Sequence, residues 1–168
     1  MYEGRLMADL AAPAAWEVDT TNWEPLLRES ACEVLEMMAG LPLEDCEPGA
    51  TVSGPFTSVI GLAGPVTGAF SLCCDDRTSC AIACGMLGLE ERDARGEIWD
   101  ALGEVCNMVI GNFKAKLGKM GESSVLSVPT VIHGYDYRVR SLVNGSFVEC
   151  IMRTGGGPLR ARLDYKLG

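Results

Sequence analysis

The chain has 168 residues, 48% of them apolar and 22% charged, which suits one folded domain with a real core and argues against disorder. Its formal net charge of −9 argues against binding to nucleic acid or to an anionic membrane surface, because both repel a net anion. We expect a single domain over residues 21–168, preceded by an Ala/Pro-rich arm or tail over residues 1–20.

The N-terminal residues do not have the pattern of a secretory signal. Only Arg5 lies between Glu3 and Asp9, and the run of Leu, Ala and Pro at residues 10–15 is too short for the apolar part of a signal peptide. We therefore expect a cytoplasmic protein.

A first amphipathic helix is predicted from about Trp23 to Gly40, because apolar residues recur at helical spacing: Leu27, Ala31, Val34, Leu35 and Met38. Gly40 and Pro42 supply the stop signal. The uncharged stretch from Pro48 to Cys74 contains too many glycines and prolines for a membrane span. Its β-branched residues instead predict two buried strands with a turn near Gly64-Pro65: Val52–Ile60 and Val66–Cys73.

Two more helices are predicted in the middle of the chain. The second starts after the acidic pair Asp75-Asp76 and ends near Gly88. The third is the longest, from Glu97 to about Lys116, and its apolar stripe must face a core: Ile98, Leu102, Val105, Val109 and Phe113. The only basic cluster along the sequence lies at the end of this helix, where cations suit the helix dipole: Lys114, Lys116 and Lys119.

Strand patterns fill the C-terminal part. Val125–Ile132 carries β-branched residues between turn formers. Asn144-Gly145 favours a type I′ turn that joins two antiparallel strands, Arg138–Val143 and Ser146–Met152. After a run of glycines, alternating apolar residues predict a last strand with one buried face: Leu159, Ala161, Leu163, Tyr165 and Leu167.

The eight cysteines do not have the spacing of a metal or disulfide framework. No pair is Cys-x-x-Cys, and the only histidine, His133, is more typical of a structural or surface residue than of a ligand. Three cysteines lie among apolar residues, where a free thiol packs as a small hydrophobe: Cys32, Cys106 and Cys150. A thiolate metal site remains a distant alternative, built from Cys73, Cys74, Cys80 and Cys84. We expect free thiols, no metal and no cofactor of the chain's own.

The two halves of the chain resemble each other. A shift of 71 positions superimposes the polar residues of the two long helices: Glu29, Glu33, Glu36 and Gly40 fall on Asp100, Glu104, Asn107 and Gly111. Each helix is followed by a strand pair that contains Gly-x-Phe, at Gly68–Phe70 and Gly145–Phe147. We therefore expect a two-layer α+β fold, in which one continuous antiparallel sheet carries the two long helices as an internal repeat.

The third helix has a polar face opposite its apolar stripe. Asp100, Glu104, Asn107 and Gly111 fall within roughly a 60° arc. Polarity alone would indicate a solvated face. However, Gly103 and Gly111 each cost about 1 kcal/mol relative to Ala in a helix. Small residues beside a carboxylate and a carboxamide would let another protein's backbone approach, so the pattern also indicates a docking surface.

This pattern resembles a known family. Asp100-x-x-x-Glu104-x-x-Asn107, followed by Pro129 at the end of a strand-like segment, is similar to the signature of the CheC/CheX/FliY chemotaxis phosphatases. The resemblance spans about Trp23 to Leu167, and it implies a CheC-like fold. Glu36 stands where the first repeat would require Asn, so only one site is intact, which resembles CheX more than CheC.

The resemblance implies a hydrolase that removes the phosphoryl group from the aspartyl phosphate of a CheY-like response regulator. Asn107 would position the attacking water, and Glu104 would pair with the regulator's active-site lysine. Asp100, Gly111 and Pro129 would support the helix face or the contact. Mg²⁺ would belong to the partner regulator, and the protein itself would be a homodimer.

The chemistry is consistent with these residue types. Phosphoryl transfer through a loose transition state needs mainly an in-line water and charge stabilisation. A neutral carboxamide orients water without adding negative charge near the phosphoryl oxygens, so Asn107 would act by positioning. The alternative from another class is a non-catalytic interaction module, such as a flagellar-switch-like adaptor on the same fold, which would not need Glu-x-x-Asn.

Overall fold

A computed structural model describes residues 18–47 and 49–168. Its helices are α1 (Trp23–Ala39), α2 (Asp76–Leu87), α3 (Glu91–Ala94), α4 (Ile98–Lys116) and α5 (Lys119–Glu122), with a 3₁₀ turn at Arg95–Glu97. Its strands are β1 (Glu44–Asp45), β2 (Phe56–Ala63), β3 (Val66–Cys74), β4 (Val125–Leu126), β5 (Thr130–His133), β6 (Ser146–Arg153) and β7 (Pro158–Leu167). The predicted arm at residues 1–20 falls mostly outside the described residues and stays a prediction.

The strands form one antiparallel sheet. Its order is β1-β6-β7-β3-β2-β4, and β5 also pairs with β2. The hairpins β2–β3 and β6–β7 lie side by side, and Phe70 of β3 stands opposite Leu163 of β7. An approximate twofold axis between β3 and β7 would produce this order. The predicted α+β fold with an antiparallel sheet is confirmed.

The core lies between the sheet and the helices α1, α2 and α4. All five residues of the predicted stripe on α4 are buried. Trp23 of α1 packs edge-on against Phe113 of α4, with ring centres 5.6 Å apart, and lies 4.5 Å from the ring of Tyr165 on β7. Burying each such side chain contributes about 1.5–3 kcal/mol, so this three-way contact fixes α1 and α4 on the sheet.

The predicted boundaries of α1 and α2 are confirmed. They could be predicted because the residues that cap these helices are local in sequence. Gly40 and Gly88 end α1 and α2 in the left-handed conformation, with φ of 63° and 64°. The side chain of Asp75 accepts a hydrogen bond from the Thr78 amide at 2.7 Å and so caps the start of α2.

The predicted Asn144-Gly145 hairpin is wrong. Residues 138–143 form no strand, and neither Asn144 nor Gly145 has the positive φ that a type I′ turn needs. A Cβ on Gly145 would lie 2.1 Å from the Tyr165 carbonyl oxygen, so this glycine serves a close approach to β7. Residues 134–145, the crossing segment, instead run over the sheet face opposite the helices, which we call the outer face.

A contact on β2 holds the crossing segment in place. The Tyr137 hydroxyl donates to the Pro55 carbonyl at 3.2 Å and lies 2.8 Å from the Thr57 hydroxyl. Such tertiary contacts override the local turn preference of two residues.

The predicted strand Val125–Ile132 is divided into β4 and β5. Ser127 interrupts it by bonding β2 through its side chain, whose hydroxyl oxygen accepts from the Gly61 amide at 2.9 Å. Pro129 therefore lies directly before β5, between the two strands and not at the end of one. The Val52–Ile60 strand likewise begins later than predicted, at Phe56.

The Gly-x-Phe match between the halves does not relate equivalent strands. Gly68–Phe70 lies in β3, the second strand of its hairpin, whereas Gly145–Phe147 leads into β6, the first strand of its hairpin. Phe70 is buried and Phe147 is exposed. The repeat is therefore supported by the two long helices and by the strand order, and not by this motif.

The eight cysteines are free thiols, and five of them are buried: Cys73, Cys74, Cys80, Cys106 and Cys150. Burial raises the pKa of Cys106 and of Cys150 to about 12, so both thiols stay protonated and pack as small apolar groups. Among the described residues, no three His, Cys, Asp or Glu side chains are grouped to hold a metal ion. No helix in the described ranges is both long and apolar enough to cross a membrane.

Candidate active site

The outward face of α4 presents the predicted site residues together. Asp100, Glu104 and Asn107 are all exposed, because the opposite stripe of the helix is buried against the sheet. Within the described part of the chain, these three side chains form no hydrogen bond or ion pair. A carboxylate and a carboxamide one helical turn apart are thus free to contact a second molecule.

Pro129 lies beside this face. A Cβ placed on Gly103 would stand 3.4 Å from Pro129 Cγ and 3.8 Å from Val131 Cγ2. These are ordinary van der Waals distances, so α4 and β5 lie side by side here and the exposed Pro129 is next to the turn that carries Glu104. Gly103 is buried and faces Pro129 and Val131 inside the molecule, and its predicted role in the approach of a partner backbone stays a prediction. A Cβ placed on Gly111, in contrast, would meet no atom within 4 Å, so the space beside this glycine is open.

The equivalent face on α1 has different contacts. Glu33, which the repeat aligns with Glu104, accepts hydrogen bonds from Asn112 Nδ2 at 3.0 Å and from Lys116 Nζ at 3.1 Å. Lys116 also pairs with Glu29 at 3.1 Å. The hydrogen bonds from Lys116 and Asn112 lower the pKa of Glu33. The polar face of α1 is therefore used largely to join α1 to α4, although Glu36 is exposed.

The lysines at the end of α4 have structural contacts. Besides the pairing of Lys116, the Lys114 ammonium donates to the Ser124 carbonyl after α5. These contacts agree with the interpretation that Lys114 and Lys116 serve the end of the helix.

An aromatic cluster next to the site was not predicted. The His133 ring is stacked on Phe56 with centres 4.3 Å apart, and Trp99 contacts both rings edge-on at 5.6 and 5.9 Å. His133 is thus a packing residue, as expected. Trp99 is 45% exposed and directly precedes Asp100. A large aromatic residue outside the apolar stripe of α4 was the sequence signal that could have predicted this cluster.

A second basic cluster was also missed, on the outer face of the sheet. The register places Arg160 of β7 level with Cys73 and Thr57, and Arg162 level with Ser71. The crossing segment adds Arg138 and Arg140 beside them, where they line hollows shared with Arg160. The two Arg-x-Arg pairs in the sequence were the signal, since alternate residues of a strand share a face.

Comparison with known proteins identifies the family. The family described as chemotaxis phosphatase CheX matches residues 56–153, more than half of the chain. The CheY-P phosphatase CheX of Thermotoga maritima is 29% identical over 85 residues. That match covers 50% of this chain and 55% of the relative, so the chain spans about half of the relative's length.

Solved structures share the fold. The chemotaxis protein CheX from Vibrio vulnificus is 26% identical, with a TM-score of 0.74 over 89% of this chain and 99% of that one. CheX in the CheX–CheY–BeF₃–Mg²⁺ complex from Borrelia burgdorferi is 20% identical, with a TM-score of 0.66 over 86% of this chain and 97% of that one. The family match, the sheet order and the exposed face of α4 agree, and the chain belongs to the CheX family of chemotaxis phosphatases.

Proposed function

We propose that this protein hydrolyses the aspartyl phosphate of a CheY-like response regulator, with Glu104 and Asn107 as the catalytic pair. The observation that carries the proposal is the outward face of α4, where both side chains are exposed and free of contacts within the described residues. A catalytic pair that works in a partner's active site must be free in this way.

The partner is proposed from the relatives. The Thermotoga maritima protein is named a CheY-P phosphatase, and the Borrelia burgdorferi CheX is seen in a complex with CheY, BeF₃ and Mg²⁺. For this chain we infer the same class of partner, which would supply the phosphoaspartate and the Mg²⁺. Among the described residues, no further His, Cys, Asp or Glu is grouped with the exposed Asp100 and Glu104 to hold a metal ion, and we propose that the Mg²⁺ is bound by the partner.

Asn107 acts in this proposal by orienting water. Its carboxamide oxygen accepts a hydrogen bond from a water that stands in line with the phosphorus–oxygen bond of the partner's acyl phosphate. The water oxygen bonds to phosphorus, the bond to the aspartate oxygen breaks to leave a carboxylate, and phosphate leaves with the protons of the water. A carboxylate at this position would repel the phosphoryl oxygens, which is why Glu36 on the α1 face is not a functional equivalent.

Glu104 holds the two proteins in register. It stands one turn before Asn107 on the same exposed face, and its carboxylate can pair with the lysine of a receiver active site. Asp100, Gly111 and the neighbouring Pro129 complete the contact surface around the pair.

We also propose that the protein is a homodimer and that it is cytoplasmic, where a CheY-like partner would be found. The support for a dimer is the edge of β6 that faces away from β7. In the described part of the chain, β1 pairs only with Met152 and Arg153, so the edge from Ser146 to Ile151 has no strand partner. Such an edge is suited to pairing with a second strand.

The test of the proposed activity is phosphate release from a panel of phosphorylated CheY-like receivers. Addition of the purified protein should accelerate the release from at least one of them. A non-catalytic interaction module would bind a receiver and leave its rate of dephosphorylation unchanged.

A further inference from the structure

The outer face of the sheet carries a cavity of about 550 Å³. It lies between the crossing segment, the run Val52–Pro55 that precedes β2, and the strands themselves. Polar and aromatic side chains line it: Ser53, Thr57, Tyr135, Tyr137, Arg138 and Arg160. Its volume lies within the range of roughly 300–1,000 Å³ that is typical of small-molecule sites.

The wall of the cavity is fixed by hydrogen bonds. Tyr137 is held by Thr57 and by the Pro55 carbonyl, as described above. The Tyr135 hydroxyl donates to Asp76 Oδ2 at 3.1 Å, which ties the start of the crossing segment to α2. The cavity is therefore a preformed feature, and the two tyrosine rings are held along its side.

Arginine side chains at the cavity are only partly neutralised by carboxylates. The Nε atom of Arg160 is buried and has no hydrogen-bond acceptor. The nearest carboxylate oxygen is that of Glu149 at 4.0 Å, and the same oxygen already accepts from Arg162 at 3.3 Å. Among the described residues, Arg138 and Arg140 form no ion pair. The guanidinium groups around the cavity thus keep free donors, in a protein whose net charge is −9.

A smaller hollow of about 190 Å³ continues the cavity along the sheet. It shares Thr57, Val139 and Arg160 with the larger space and adds Arg140 and Arg162. Arg162 is neutralised there by Asp164 at 2.7 Å and by Glu149. Among the described residues, the positive charge that carboxylates leave unpaired therefore lies on Arg138 and Arg140, and Arg160 has only the 4.0 Å pairing with Glu149.

These features favour a phosphate-bearing ligand. The planar guanidinium fork matches phosphate oxygens with two parallel hydrogen bonds, and hydroxyl groups such as those of Ser53 and Thr57 add neutral donors. We propose that this cavity binds a phosphorylated small molecule of nucleotide size, with its phosphates on Arg138 and Arg160 and its remaining part along Tyr135. The cavity and the α4 face lie on opposite sides of the sheet, so the proposal does not depend on the phosphatase activity.

The test is isothermal titration of the full chain with ATP and with adenosine, both without Mg²⁺. We expect saturable ATP binding with a dissociation constant below about 1 mM, which corresponds to a modest affinity for an open site. Adenosine should bind at least tenfold more weakly because it lacks the phosphates. Arg138→Ala and Arg160→Gln should each weaken ATP binding at least tenfold.

The control variant is Arg92→Ala, which removes an exposed arginine of α3 whose one ion pair within residues 18–47 and 49–168 is with its neighbour Asp93. It should bind ATP as the parent does. Arg138 is exposed on the crossing segment, so its replacement tests the site even if Arg160→Gln disturbs the sheet. The proposal is overturned if ATP gives no saturable binding, if adenosine binds as tightly as ATP, or if Arg138→Ala binds ATP like the parent.

Discussion

Two glutamates that the internal repeat aligns have different surroundings. Glu33 accepts hydrogen bonds from Asn112 and Lys116, whereas Glu104 contacts none of the described side chains by hydrogen bond or ion pair. A carboxylate that already holds two helices together is not available to a partner. The two halves thus differ in the contacts of single side chains, and this difference goes beyond the exchange of Asn107 for Glu36.

Replacement of Glu104 tests the proposed contact with the regulator. Glu104→Ala should weaken binding to a receiver loaded with BeF₃ and should also slow phosphate release, because it removes a charged contact with the partner's lysine. Binding measured by titration should fall by about tenfold or more, since hydrogen bonds to charged groups contribute about 1.5–3 kcal/mol. Glu36→Ala removes a glutamate that is also exposed, from α1, and should change neither quantity. Unchanged binding of Glu104→Ala would contradict the assigned contact.

The outer-face arginines show what single residues do not reveal in sequence. The four arginines form two separate pairs along the chain, Arg138 with Arg140 and Arg160 with Arg162. Only the pairing of β7 with β3 and the path of the crossing segment bring the two pairs together. The exposed Glu104–Asn107 face could be predicted, because helix periodicity is local. The aromatic cluster around His133 could not, because it joins β2, β5 and α4.

At the scale of elements, the helices were predictable and one hairpin was not. Caps and apolar periodicity at α1, α2 and α4 act within a few residues, so the sequence pattern determined their bounds. Asn144-Gly145 has an equally local preference, but Gly145 is required by the close approach of the Tyr165 carbonyl. The hydroxyl of Tyr137 holds the preceding residues over β2. Long-range contacts therefore determine the conformation of residues 138–145, in place of the local turn preference.

The junction of α1 and α4 should respond to acid. Hydrogen bonds from Lys116 and Asn112 lower the pKa of Glu33 below its ordinary value of 4.5. Since the folded-state pKa is lower than the unfolded one, the stabilisation is complete above 4.5 and is lost as the pH falls through the folded value. Glu33→Gln should therefore unfold at lower denaturant concentration than the parent at pH 7, and the difference should shrink below pH 4.5. A difference that stays constant with pH would contradict this assignment.

Gly111 offers a second test on α4. A Cβ there meets no atom within 4 Å, so Gly111→Ala should raise the free energy of unfolding by about 1 kcal/mol through helix propensity alone. The added methyl group stands on the proposed docking face, and binding to a BeF₃-loaded receiver should weaken. Denaturant unfolding and titration measure the two effects separately. A more stable variant with unchanged binding would exclude Gly111 from the contact surface.

At the scale of the whole molecule, the sheet separates two different surfaces. The helix side presents Asp100 and Glu104, and the outer face gathers arginines that Glu149 and Asp164 neutralise only in part. The sheet also ends in the open edge of β6. Light scattering should give a mass of about twice the 17.9 kDa of one chain, because two β6 edges can pair. A mass of one chain at every accessible concentration would contradict the proposed dimer.

The most direct measurement follows the decay of a phosphorylated CheY-like receiver with the parent protein and with Asn107→Ala. Alanine is the better helix former, so α4 stays intact while the water-orienting carboxamide is lost. The parent should accelerate phosphate release, and the variant should be about 100-fold slower, as is usual when one oriented catalytic group is removed. Binding of the variant to the BeF₃-loaded receiver should remain. Near-normal phosphate release by Asn107→Ala, on a receiver that the parent dephosphorylates, would contradict the role assigned to Asn107.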